Sequence, residues 1–205
     1  RSIRENPRFR THILTLNPSN TPLNPEHVRV TPEGVRMMTP SRLSEILDAW
    51  ESLAWPASRA DAAAFRDHFG WTPDPSDEML FTSDVVPEKT SSSFSALRPD
   101  DIVGLDFIVA NRPDFQPGND ECKPLLTECQ HYPTTIRQRL GKSLAWSKIE
   151  PDGIWRFATV DGSMYVLSAG RRSITLFLKS PRLANLYFDF KDREARGELE
   201  DWERE

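Results

Sequence analysis

Apolar residues recur at helical spacing in Leu43, Ile46, Leu47, Trp50 and Leu53, which is one face of a 3.6-residue period. Ser41 is the expected N-cap and Trp55-Pro56 the break. A second helix is marked more sharply. Ser58 and Asp61 stand at capping-box spacing, Ala62, Phe65 and Phe69 form the apolar stripe, and Gly70 supplies a left-handed end. Strand-like runs follow at Met79–Phe81, Val85-Val86 and Ile102–Ala110. The Ser-rich stretch from Glu88 to Arg98 between them reads as a loop. Helical pattern returns from Pro133 through Ile136 and Leu140 to Gly141. Ile154–Val160 and Met164–Leu167 then flank Asp161-Gly162, the signal of a two-residue type I′ hairpin. Ser173–Leu178 supplies a neighbouring strand.

The first 40 residues differ from this body. They hold Pro7, Pro18, Pro22, Pro25, Pro32 and Pro40 and read as an extended arm. Val28, Val30, Val35 and Met37 flank Thr31-Pro32-Glu33-Gly34, which predicts a hairpin within it. The expected organisation is a Pro-rich basic arm over 1–40, an α+β body over 41–188, and a charged helix or tail over 189–205. The expected fold is an antiparallel sheet with helices on one face. Ala64–Gly70 and Thr135–Gly141 match at an offset of 71 residues, each a helix ending in Gly and followed by a Trp and strands. That match suggests a tandem helix-then-meander repeat.

Charge sharpens the division. Residues 1–42 hold seven Arg against three acidic residues, and the remainder holds 19 basic against 28 acidic groups. With 26 basic and 31 acidic residues the chain carries −5 overall. That balance argues against a non-specific nucleic-acid binder or a membrane-surface protein. A mean hydropathy of −0.56 and the lack of any apolar run near ~18 residues argue against a membrane helix. The cytoplasm is the expected compartment.

Candidate chemistry is sparse. Cys122 and Cys129, seven residues apart, are two free thiols or one short-loop disulfide; zinc would need a second ligand pair, which is absent. His12, His27, His68 and His131 sit in no metal or nucleophile motif. Gly141-Lys142-Ser143 lacks the upstream glycine of a P-loop, because Ile136 stands in its place. Asp74, Asp77, Glu78, Asp100, Asp101, Asp114, Asp120 and Glu121 are read as caps, turns and surface, although a carboxylate-based site needs only two such groups. Arg171-Arg172 and the Arg137/Arg139 pair are read as surface charge. Trp50, Trp55, Trp71, Trp146 and Trp155 are expected in the core. Trp202, inside an acidic segment, is either an anchor for a basic partner or a pin for the last helix.

The segments Ala63–Trp71 and Arg139–Trp146, with the Asp161-Gly162 hairpin, resemble the small immunity-type proteins that accompany bacterial polymorphic toxins. The resemblance implies a non-catalytic inhibitor that binds one basic toxin domain by an acidic surface. On that reading Glu198, Asp201 and Trp202 are the expected partner-binding residues, and no cofactor, metal or nucleic acid is expected. The alternatives are an accessory domain of a larger secretion or assembly protein, and an enzyme whose carboxylate site forms only in three dimensions.

Overall fold

The computed structural model describes residues 22–98, 100–115, 125, 130–150 and 153–198. The first hairpin pairs β1 (Val28–Val30) with β2 (Arg36–Met38) around the expected Pro32-Glu33-Gly34 turn. Two helices follow, α1 (Pro40–Glu51) and α2 (Arg59–His68). Thr39 rather than Ser41 caps α1. Its hydroxyl accepts from the Arg42 amide, and Pro40 takes the first helical position, where a missing N–H costs nothing. The α2 capping box forms as expected, with Ser58 and Asp61 serving each other's backbone amides. Gly70 follows with φ +70°.

Strands β3 (Leu80–Phe81), β4 (Ser92–Arg98) and β5 (Asp101–Asn111) come next. The Ser-rich stretch is therefore a strand from Ser92 onward, not a loop. Ser92 and Phe94 point inward in period two, and β5 supplies the backbone partners that outweigh the low strand preference of serine. The helix α3 (His131–Leu140) and a short 3-10 turn at Gly141–Ser143 lead into a meander of β6 (Leu144–Ile149), β7 (Ile154–Thr159), β8 (Met164–Ala169) and β9 (Ser173–Lys179). The last helix is α4 (Pro181–Arg196), capped by Ser180.

The Asp161-Gly162 hairpin forms with a three-residue loop in place of the expected two. The Thr159 amide donates to the Ser163 carbonyl at 3.0 Å, and Gly162 takes φ +89°, the position a bulged hairpin reserves for glycine. The side chain of Asp161 closes this loop from within, accepting from the Ser163 amide and from the Thr159 and Ser163 hydroxyls.

Among the described residues nine strands make one antiparallel sheet. Strand β5 is its hinge. One side pairs with β9 along nearly its full length; the other pairs with β4 over its first half and with β2 at Ala110 and Asn111. The two helix-then-strands units thus meet through their final strands, β5 and β9. Their tryptophans are not equivalent, however. Trp71 is buried and stacks on Phe81 at 5.2 Å, whereas Trp146 is 39% exposed, against the expectation that it builds the core.

The main core lies between one sheet face and α1, α2 and α3. Leu105, Phe107, Leu176, Leu178, Tyr165 and Phe157 meet Leu43, Ile46, Trp50, Phe65, Tyr132 and Ile136 there. Each such side chain contributes about 1.5–3 kcal/mol by leaving water. The Tyr132 hydroxyl is satisfied by donating within 2.6 Å of the Val109 carbonyl and 3.0 Å of the Met38 carbonyl. A second cluster occupies the opposite face, where Met164, Val166 and Phe177 lie under Ala184, Tyr187 and Phe188 of α4. The α+β antiparallel class holds, but helices cover both faces rather than one. The boundary expected at residue 188 falls inside α4, and the hairpin at 28–38 belongs to the sheet rather than to a separate arm. None of the described helices is long and apolar enough to cross a membrane.

Candidate protein-binding site

Two acid-centred arrangements stand out. The first is buried. Asp84 accepts from Arg42 Nε at 3.1 Å and Arg42 Nη2 at 3.2 Å, from Trp71 Nε1 at 3.0 Å, and bonds His27 Nδ1 at 3.0 Å. Arg42 also donates to the Phe69 carbonyl at 2.8 Å. The side chains of Arg42 and Asp84 are 7% and 10% exposed. This hub ties the first hairpin, α1 and the end of α2 to the segment after β3. Every acceptor position of the carboxylate is engaged, so it has no capacity left for a ligand or a proton relay.

The second is open. Glu51 at the end of α1 and Asp161 in the β7–β8 loop line one cavity of about 250 Å³ with Ser143, Thr159 and Val160. Glu51 accepts from Tyr165 Oη at 3.1 Å and from Arg139 Nη2 at 2.9 Å, and Arg139 also reaches Asp48. Arg139 is thus the link between α3 and α1, not idle surface charge. Burial works against ionisation of Asp161, yet the hydrogen bonds from Thr159 and Ser163 outweigh it and hold the carboxyl below its ordinary value. A general acid needs the opposite tuning, a carboxyl that keeps its proton near neutrality. Burial, followed by the charge and hydrogen bond of Glu51, pushes the Tyr165 phenol well above its ordinary value, so it serves as a neutral donor.

The notch opens onto a sheet edge. The Val160 amide donates to the Ser143 carbonyl at 2.8 Å, and Ser143 is the residue before β6. Strand β6 ends the sheet and pairs only with β7 among the described residues. Its outer row of backbone groups pairs with no other strand among the described residues, the situation that proteins ordinarily blunt. Lys148 is the one charged side chain of the strand, exposed and paired with Glu150, and large apolar side chains stand beside it. Trp146, on the α4 side against Phe188 at 5.9 Å, is 39% exposed; Ile149, opposite Trp155, is 56% exposed; and Val160 at the loop tip is 71% exposed.

Residues 41–180 match the model of a family described as a family of unknown function, DUF6301. The chain belongs to that family. No curated protein and no solved structure matches it. The DUF6301 span begins in α1 and stops at the cap of α4, so it holds Glu51, Ser143, all of β6 and Asp161. It leaves out His27 and Glu198.

The residues singled out from sequence fare differently. Glu198 lies just past α4, exposed, with its carboxylate on Arg196 Nε at 2.8 Å; no contact brings it to the notch. Asp201, Trp202, Cys122, Cys129, His12, Asp120 and Glu121 lie outside the described residues. His68 closes α2 against Phe69. Asp74 caps the turn to Ser76, where hydrogen bonds from Ser76 and Thr90 lower its carboxyl to about 2. Glu78 pairs with Arg59, and Asp101 with Arg182 at the start of α4. Lys142 sits in the 3-10 turn after α3. Among the described residues no three His, Cys, Asp or Glu side chains gather to hold a metal. Sequence reading missed Glu51, Asp161 and the β6 edge. The available signal was the Leu-Ala-Trp-Ser-Lys-Ile run, whose Trp was assigned to the core.

Proposed function

We propose that the chain is a non-catalytic protein-binding module, an immunity or inhibitor protein that neutralises a basic toxin domain. The partner adds a strand to the outer edge of β6 and places a Lys or Arg side chain in the Glu51/Asp161 notch. The observation that carries this reading is the contiguity of the two features. An unpaired strand edge with exposed Trp146 and Ile149 runs directly into an acidic cavity. Strand addition supplies main-chain hydrogen bonds, while the flanking pockets supply specificity. Charge complementarity between an acidic body and a basic partner speeds association and weakens with salt.

The test is a capture experiment from a source lysate at low and high salt, run in parallel with wild type, Ile149→Lys, Val160→Lys and a chain ending at Gly197. A basic protein retained by wild type and by the truncated chain, but lost with either lysine variant and at high salt, supports the β6 reading. Retention by both lysine variants with loss on truncation moves the interface to Glu198, Asp201 and Trp202. Recovery of a non-protein ligand or of no basic protein overturns the proposal.

A further inference from the structure

A cavity of about 300 Å³ lies away from the notch, between the first hairpin and α3, lined by Arg29, Met37, Met38, Thr39, Pro40 and His131. Its polar wall holds the Arg29 guanidinium and the His131 imidazole, and its floor is apolar. Met37 and Met38 are buried, Arg29 is exposed, and His131 is half-buried at the first position of α3.

Many arginines of the body are held by carboxylates. Arg36 is held by Glu88, Arg42 by Asp84, Arg66 by Asp67, Arg139 by Asp48 and Glu51, Arg156 by Glu150, Arg182 by Asp101 and Arg196 by Glu198. Arg29 instead rests on a thioether, with Nη2 at 3.9 Å from Met37 Sδ. Among the described residues no carboxylate forms an ion pair with it. Beside it stands an imidazole, not an acid. Burial, then the charge of Arg29, lowers the His131 pKa, so the ring gives up its proton more readily than usual. Thr39 is neutral, and its hydroxyl proton is taken by the Glu26 carbonyl at 2.8 Å.

We propose that this cavity binds a small organic acid, with its carboxylate on Arg29 and His131 and its apolar body against Met37, Met38 and Pro40. A planar guanidinium is suited to bidentate pairing with a carboxylate. Methionine walls adapt to apolar ligands of varied shape. The proposal is independent of the β6 interface, which lies in a different part of the molecule.

Phenylacetate, phenylacetamide and acetate serve as probes, with the His131 ring C–H resonances as the readout. Phenylacetate is expected to shift them saturably, with a dissociation constant of roughly millimolar order for so small a ligand. Arg29→Gln, an exposed position, is expected to weaken binding roughly tenfold or more while leaving the His27 resonances in place. Acetate is expected to bind more weakly than phenylacetate, and the neutral amide to bind little. Absence of a saturable shift with phenylacetate overturns the proposal. Equal binding of phenylacetamide, or undiminished binding by Arg29→Gln, overturns the carboxylate assignment. An Arg29→Lys chain that recovers part of the affinity separates loss of charge from loss of the fork.

Discussion

Asp84 and Glu51 are carboxylates near the ends of an arginine-containing network, yet they do opposite things. Asp84 sits inside the molecule with Arg42, Trp71 and His27 filling its acceptor positions. Glu51 has its donors on one side, Tyr165 and Arg139, and a solvent-filled notch shared with Asp161 on the other. The lesson is that residue type does not distinguish an enclosed cross-link from a group that lines an open cavity; what faces the remaining side of the group does. A carboxylate enclosed by donors contributes to the fold. Glu51 joins α1 to α3 through Arg139 and still keeps one side open to the notch.

The largest expected effect breaks the first region. Asp84→Ala leaves buried Arg42 with only the exposed carboxylate of Glu45 as counter-charge and is expected to cost about 3 kcal/mol by urea denaturation. A cost below about 1 kcal/mol would show that water reaches the hub and that the contrast with the notch is false. His27→Ala removes a more exposed spoke of the same hub, since that side chain is 28% exposed. The expected cost is about 1 kcal/mol, and an effect as large as that of Asp84→Ala would place the anchor on the hairpin instead.

Asp161 sharpens the second region through pH. Its folded pKa lies below the ordinary carboxyl value of 3.8. The stability it contributes is therefore present above that value and is lost as pH falls through the lowered one. Asp161→Asn is expected to be less stable than wild type at pH 7, with the gap closing in acid. A gap independent of pH would mean that the loop depends on shape rather than charge. The smallest stability effect belongs to the edge. Ile149→Lys and Val160→Lys are expected to unfold within about 0.5 kcal/mol of wild type while abolishing partner capture. A larger stability loss would mean that these side chains are packed rather than presented.

Much of the fold was legible because the local rules agreed. The α2 capping box, the apolar stripes of α1 and α3, and the strands around Asp161-Gly162 formed where the pattern placed them. The site was not legible. Glu51 closes α1 and Asp161 lies in a loop more than a hundred residues later; only the packing of α1 and α3 over β7 and β8, fixed by Arg139 and Tyr165, sets them around one cavity. Trp146 was assigned to the core because its neighbours are apolar. Its exposure follows from β6 being the last strand, a fact of sheet order rather than of sequence spacing.

The sequence by itself determined which segments become helix or strand wherever capping, periodicity and turn chemistry coincide, because those interactions span only a few residues. It also determined the excess of acid over base. The tertiary structure decided the rest. It turned the Ser-rich stretch into β4, because β5 offered backbone partners that no local pattern records. It put α4 on the far face, because β7, β8 and β9 carry apolar residues on both sides. It also chose which charges to enclose and which to leave facing water, since that choice depends on neighbours brought together from distant parts of the chain.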